Sequence, residues 1–379
     1  MVIRFAALVL VIVSLALMAG CVSQQLDTPQ ATPDRDRPDV SEVDREYHLG
    51  AEYYENKMYA EATSNFLRVI ELDPTYQKAY TYLGRIYLEQ DRGAEAVEMY
   101  RKAVDLDPND ADSRSAYGWA LSAAGMYSEA AGQFDKAIEL APDSPDNYLN
   151  LGAAYDKQGL LPEAIEAYRK AVELDPENVA NVVKLGNILY ENELYADAIA
   201  VYQQAIVLSP DDFDIVKTLG WLTMKVEDYE SSVEYYQRAV EMEPEYAQLR
   251  ITLASSLDKL GKTSEALPQM ERALELKPDS PGLWWYYGDL LNRAKKYNDA
   301  MAAAQKELEL TPESAAAYCV WGKALEKQGR YEEAGSKFRQ AVSCGDPTWH
   351  DYATKEIERQ QRLIERREAL KQQEEYDEE

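Results

Sequence analysis

The sequence predicts an all-α solenoid of nine helical hairpins, and three ladders of residues predict it. Pro74, Pro108, Pro142, Pro176, Pro210, Pro244, Pro278 and Pro312 recur every 34 residues. Gly50, Gly84, Gly118, Gly152, Gly186, Gly220, Gly288 and Gly322 run in step, with Ala254 filling the gap. Ala62, Ala96, Ala130, Ala164, Ala198, Ala266, Ala300 and Ala334 form the third, with Ser232 as its exception. Self-similarity at a fixed period of this length marks stacked supersecondary units. Setting the proline at position 32 divides the chain into 43–76, 77–110, 111–144, 145–178, 179–212, 213–246, 247–280, 281–314 and 315–348.

Before the ladders stands an export signal. Arg4 is the only charge in residues 1–20, residues 5–18 are almost wholly apolar, and Ala19-Gly20 precede Cys21. That is a secretory core followed by a small-residue cleavage site. A membrane-spanning anchor is the competing reading, but the run is short for a hydrocarbon core of roughly 30 Å and ends in small residues. Leu17-Met18-Ala19-Gly20-Cys21 resembles the lipobox of a bacterial lipoprotein, with Met18 where leucine is commoner. The resemblance implies cleavage before Cys21, a diacylglyceryl thioether on its sulfur and a palmitate-type acyl chain on its amine. More than one chain is what stable anchoring needs. Val22 in place of Asp is associated in that family with delivery to the outer membrane, facing the periplasm, in two-membrane cells. Residues 21–42, with three prolines and several Asp and Arg, read as the lipidated cysteine and a flexible tether.

The fourth unit shows how each hairpin is encoded. Tyr148, Leu151, Gly152 and Tyr155 fall at i, i+3, i+4 and i+7 of a first helix. Gln158-Gly159 breaks it, because glycine suits a left-handed stop. Pro162 and Glu163 open a second helix, where proline and an acid both suit the first turn. Its stripe is Ala164, Ile165, Tyr168, Ala171 and Val172, and Leu174-Asp175-Pro176 ends it. The small residues of the ladders let paired helices approach closely, and most of the 28 tyrosines are core.

These signature positions, across about 300 residues, resemble the tetratricopeptide repeat (TPR). The resemblance implies a right-handed superhelix whose first helices line a concave groove. Some units depart from it. The first has Glu46 at a usually apolar site, with Tyr47 beside it. The seventh has Ala254, Pro268 and Met270, the eighth Ala304 and Glu307, so both are expected to pack more loosely or to bend the stack. The ninth has Asp346 where proline is expected. From Trp349 the pattern stops. Residues 349–361 read as a capping helix and 362–379 as a charged helical tail that frays.

A formal net charge of −28 argues against nucleic acid as a partner and against adhesion to anionic lipid. Two histidines and three unclustered cysteines predict no metal and no cofactor. Without a glycine-rich phosphate loop or a nucleophile elbow, no catalysis is expected. Function is expected in the groove, at positions 2, 5, 9, 12 and 13 of each first helix. From the sixth unit on, these include Lys217, Lys225, Lys259, Arg293, Lys323 and Lys327, with Trp221, Trp285 and Asn292 among them. The functional reading is a site for an extended, acidic or carboxyl-terminated protein segment, gripped by charge-assisted hydrogen bonds and flat indoles. The competing reading is that cations at helix ends complement the helix dipole. Trp119, Asn150 and Asn187 are candidates for the middle of the groove, and Lys184 shares a helix face with Asn187. Cys319 and Cys344 lie in the two helices of the ninth unit, either as a disulfide or as two inert thiols. The expectation is a lipid-anchored scaffold of the bacterial cell envelope, monomeric or within a hetero-complex. Similar lipoproteins serve as pilotins for pilus secretins, adaptors for cell-wall enzymes and assembly factors. A carbohydrate or small-molecule binder is the alternative.

Overall fold

The computed structural model describes residues 41–378, so the signal segment, Cys21 and most of the tether lie outside the described residues. Nineteen helices and no strand occupy the described residues, in consecutive helix-turn-helix pairs that make an α-solenoid. The chain divides into two compact units, up to Ile86 and from Tyr87 onward. Among the described residues, no helix is long and apolar enough to cross a membrane.

The first unit holds α1 (Glu42–Glu55), α2 (Tyr59–Leu72) and the start of α3 (Gln77–Glu89). Ser41 caps α1, its hydroxyl accepting the Asp44 N–H at 3.2 Å. The irregular Glu46 accepts the Asn65 amide at 2.6 Å, and Tyr47 supplies the apolar contact instead, 6.0 Å from Phe66 and 5.8 Å from Tyr82 between ring centres.

The second unit continues with α4 (Gly93–Leu106), α5 (Ala111–Ala123), α6 (Tyr127–Leu140), α7 (Pro145–Gln158), α8 (Leu161–Leu174), α9 (Val179–Glu191), α10 (Tyr195–Leu208) and α11 (Phe213–Lys225). After these come α12 (Tyr229–Met242), α13 (Ala247–Lys259), α14 (Thr263–Leu276), α15 (Leu283–Arg293), α16 (Tyr297–Leu310), α17 (Ala315–Lys327), α18 (Tyr331–Ser343) and α19 (Pro347–Glu378). The turn inside the fourth hairpin has Gly159 at φ 75°, as its sequence predicts. Lys57, Asp91, Glu193, Glu227 and Lys295 hold the same left-handed conformation in other hairpins.

The glycine ladder is a steric requirement. A Cβ at Gly118 would lie 2.7 Å from the Phe134 ring, and one at Gly186 would lie 2.8 Å from the Tyr202 ring. The helices of a hairpin therefore meet with a bare backbone against an aromatic face. Ser232, the exception in the alanine ladder, is fully buried and satisfied: its hydroxyl donates to the Gly220 carbonyl at 3.1 Å and lies 2.9 Å from the Ser256 hydroxyl.

The looser packing expected of the seventh and eighth units is not found. Met270 replaces the aromatic of the seventh and is fully buried in one cluster with Ala254. Pro268 lies within α14, which continues to Leu276. In the eighth unit, Ala304 replaces the aromatic, and Gly288 faces Val320, which a Cβ would meet at 2.8 Å. Glu307 is 2% exposed. Its carboxylate accepts the Gly282 N–H at 2.8 Å and the Trp285 N–H at 3.4 Å, capping α15 from the partner helix. Some units cap their first helix from the preceding residue, as Asn178, Asp212 and Ser314 do for α9, α11 and α17. Gly282, at φ 88°, has no side chain to do so.

The expected capping segment and charged helical tail form one helix. α19 runs unbroken from Pro347, which uses the displaced proline as its first residue. Trp349, Tyr352 and Ala353 cover the ninth hairpin. Further on, buried Gln360 donates to Glu326 at 2.6 Å, Arg359 pairs with Glu326 at 3.1 Å, and Arg367 donates to the Gly329 carbonyl at 3.2 Å. Burial pushes the Glu356 carboxyl above its usual range. Arg359 opposes that shift, and the neighbouring Glu326 adds to it. A carboxyl raised in the folded state contributes stability below its unfolded pKa of about 4.5, and that contribution is lost as pH rises through the raised value. Glu356→Gln should therefore tighten α19 at neutral pH and flatten its pH dependence between pH 4.5 and neutrality. Hydrogen exchange of the α19 amides across that window reads this, and an identical pH profile in the variant would refute it.

Candidate functional site

Two hollows open on the first-helix face of the second unit. One, of about 470 Å³, is lined by Asn187 and Tyr190 of α9, Lys217, Thr218 and Trp221 of α11, and Gln248 and Thr252 of α13, with Tyr202, Tyr236 and Tyr246 around them. The other, of about 410 Å³, is lined by Trp119 of α5, Asn150 and Lys157 of α7, Lys184 of α9, and Tyr127 and Phe134 of α6. Both have the size of ordinary ligand pockets and both are open and partly apolar.

Residues four apart on one helix share a face, which places Lys217, Trp221 and Lys225 in one row of α11. Trp221 is held edge-to-face by Tyr190 at 4.9 Å and by Tyr195 at 5.6 Å. The Lys225 ammonium lies 4.9 Å above the Trp221 ring. Lys217 lies 4.9 Å from the Phe213 ring and pairs with Asp214 at 2.6 Å.

The same arrangement recurs at an asparagine in each hollow. The Tyr202 phenol, pushed up to about 12 by burial, stays protonated and donates to Asn187 Oδ1 at 2.5 Å. The Trp119 indole N–H donates to Asn150 Oδ1 at 3.2 Å. Each amide oxygen is engaged by an aromatic donor, which leaves the amide NH2 as the group that a ligand acceptor meets. Trp119 is 56% exposed, an unusual level for an indole.

Beyond the sixth unit, the expected cations meet acids on the same face. Arg293 of α15 reaches Asp258 of α13 at 2.5 Å and Asp289 at 2.5 Å, and Lys323 of α17 reaches Asp289 at 3.2 Å. Lys327 lies 3.8 Å from Glu326. Lys259 is exposed at the end of α13. The Arg293–Asp258 and Lys323–Asp289 pairs link successive first helices, and together with the pairs within a helix they offset most of the positive charge expected there. Trp285 sits edge-to-face with Trp349 at 5.6 Å, and Asn292 is 6% exposed and donates to the Val320 carbonyl at 2.9 Å. Both are therefore placed in the packing between α15 and its neighbours. Lys157, Tyr190, Gln248 and Thr252 were not singled out from the sequence, although Lys157, Tyr190 and Gln248 occupy groove positions 13, 12 and 2 of their units and so carried a readable signal.

Cys319 and Cys344 carry free thiols. Burial pushes the Cys319 thiol up to about 12, and the Cys344 thiol donates to the Gln340 carbonyl at 3.2 Å. Among the described residues, no three His, Cys, Asp or Glu side chains gather to hold a metal ion.

Family models described as Tetratricopeptide repeat match residues 53–120, 145–178, 218–246 and 251–315, and one described as TPR repeat matches 118–159 and 186–220. No curated protein matches the chain. Among solved structures, the C-terminal part of a TPR repeat-containing protein from Cytophaga hutchinsonii superposes with a TM-score of 0.51 at 18% identity, covering 72% of this chain and 97% of that one. YrrB, described as a TPR protein with an unusual peptide-binding site, is 25% identical over 48% of this chain and 95% of its own, with a TM-score of 0.43. PilF of Pseudomonas aeruginosa is 22% identical over 53% of this chain and 92% of its own, with a TM-score of 0.44.

Proposed function

The chain is a tetratricopeptide-repeat protein, and on that premise we propose that it is a scaffold that binds an extended protein segment along the first helices α5 to α13. The observation that carries the reading is the recurrence, in both hollows, of an asparagine whose oxygen is held by an aromatic donor. An extended backbone presents carbonyl acceptors at regular intervals, and the free NH2 groups of Asn150 and Asn187 suit them. Trp119 and Trp221 supply flat apolar contact beside them, and Lys157, Lys184, Lys217 and Lys225 favour an acidic segment. The paired cations further along, from Arg293 to Lys327, order neighbouring helices and are not counted as ligand contacts.

The same proposal places the scaffold in the bacterial cell envelope, tethered by lipid on Cys21, where it supports assembly or localisation of a larger complex. The support is the lipobox-like sequence 17–21 and the polar tether that follows it.

The test places a photo-crosslinking residue at Thr218 of the otherwise unaltered chain in cells. A polypeptide attached there supports the reading. An attached glycan would favour a carbohydrate binder, and an empty site would refute both. Trp119→Ala with Trp221→Ala should reduce the attached protein by roughly 30-fold or more, the size of one interface hot spot. Cys21→Ser should move the chain from the membrane to the soluble fraction while the groove still binds in extract, which separates the anchor from the site.

A further inference from the structure

The distal part of α19 is charge-segregated about one leucine. Arg362 and Arg366 lie eight and four residues before Leu370, and Glu374 and Glu378 lie four and eight residues after it. Residues 362–371 contain four basic and two acidic side chains, and 372–379 contain five acids and no base. Within one helix this places like charges at i and i+4: Arg362 with Arg366, Arg367 with Lys371, and Glu374 with Glu378. Such pairs repel and disfavour an isolated helix. Leu370 is 53% exposed and Tyr376 is 80% exposed. Beside them, Leu363, Arg366, Arg367 and Leu370 form with Gln328, Gly329 and Tyr331 an open hollow of about 500 Å³.

We propose that this face is a self-association surface, and that its occupant is the same segment of a second copy of this chain, laid antiparallel across Leu370. Reversing a helix about Leu370 sets Arg366 opposite Glu374 of the second copy, Arg362 opposite Glu378, and Leu370 opposite Leu370. Along this row the basic residues then face acidic ones, while Arg367 and Lys371 fall opposite Gln373 and Ala369. The same register brings Tyr376 of the second copy toward Leu363 and Tyr331, so the hollow receives an aromatic ring and its arginine rim receives acids. A two-fold contact of this kind is isologous and closes at two copies. The surface is short, so the association is weak, salt-sensitive and strongest where chains are concentrated. The inference does not depend on what the groove binds.

The experiment uses the whole chain in excess detergent, as two differently tagged copies, and reads co-purification. Wild-type copies should recover one another at low salt and much less in about 1 M NaCl, where the screening length is about 3 Å. Arg362→Glu with Arg366→Glu makes the segment wholly acidic on this row. Glu374→Arg with Glu378→Arg makes it wholly basic. Each doubly substituted chain should fail to recover itself, by at least about tenfold, and the two mixed should recover each other as well as wild type does or better. Restoration in the mixture also shows that neither variant failed by misfolding. Wild-type copies that do not associate, variants that still self-associate, or a mixture that does not recover would each overturn the proposal.

Discussion

Phe134→Ala should destabilise its hairpin by about 3–5 kcal/mol, the cost of removing a large buried aromatic from a packed core. Phe134 is 1% exposed and its ring lies where a Cβ on Gly118 would come within 2.7 Å. Gly118→Ala alone should cost about 1–3 kcal/mol by overpacking. The two effects share one space. The double variant should therefore be more stable than the sum of the singles predicts, by about 0.5–3 kcal/mol, because the added methyl enters the volume that the ring vacates. Denaturant unfolding of the four proteins measures the cycle. Simple additivity would show that the glycine ladder serves helix conformation and not the close approach of ring to backbone. A solenoid is held by nearest neighbours, so the loss should appear first as local opening of α5, α6 and α7, read by hydrogen exchange.

The ladders made this part of the fold readable. Proline, glycine and alanine each mark a position where backbone geometry or close approach leaves one solution, and the period turns any one unit into nine. What failed to show in the sequence depends on partners outside the unit. Arg293 and Lys323 read as groove cations because their own helices make them so. The acids that bind them across units, Asp258 and Asp289, lie 35 and 34 residues earlier, on the preceding unit, and Asp289 also lies four residues before Arg293 on its own helix. A register read unit by unit finds the cation and misses the pair. Left-handed turns at Lys57, Asp91, Glu193, Glu227 and Lys295 were similarly hidden. The strain of a side chain at positive φ is offset by the packing of the hairpin, which no local signal records. The two hollows were half visible. Trp119, Asn150, Asn187 and Trp221 stood out by residue type, but the hydrogen bonds that orient the amides, from Trp119 and Tyr202, come from another helix.

The eighth unit carries the other large effect. Glu307→Ala should leave the Gly282 and Trp285 N–H groups without their acceptor in a site that is 2% exposed. A buried donor left unmade costs about 1–3 kcal/mol, and more where the lost acceptor was charged. The N-terminal end of α15 also favours a negative group through its aligned peptide dipoles. The expected loss is thus larger than that of Ser314→Ala, which removes the ordinary cap of the neighbouring α17 at about 0.5–2 kcal/mol. Glu307→Gln keeps an acceptor oxygen of the same reach and should lose clearly less. Equal losses from Ala and Gln would show that Glu307 acts by filling space. Hydrogen exchange gives the local reading: the Gly282 and Trp285 amides should lose about 30-fold protection for each 2 kcal/mol. The consequence extends to the groove face, because α15 carries both Asp289 and Arg293. A frayed start to this helix loosens the chain of ion pairs from Asp258 to Lys323. That chain should then open in Glu307→Ala while the hollows around Trp119 and Trp221, built on other helices, remain closed to the change.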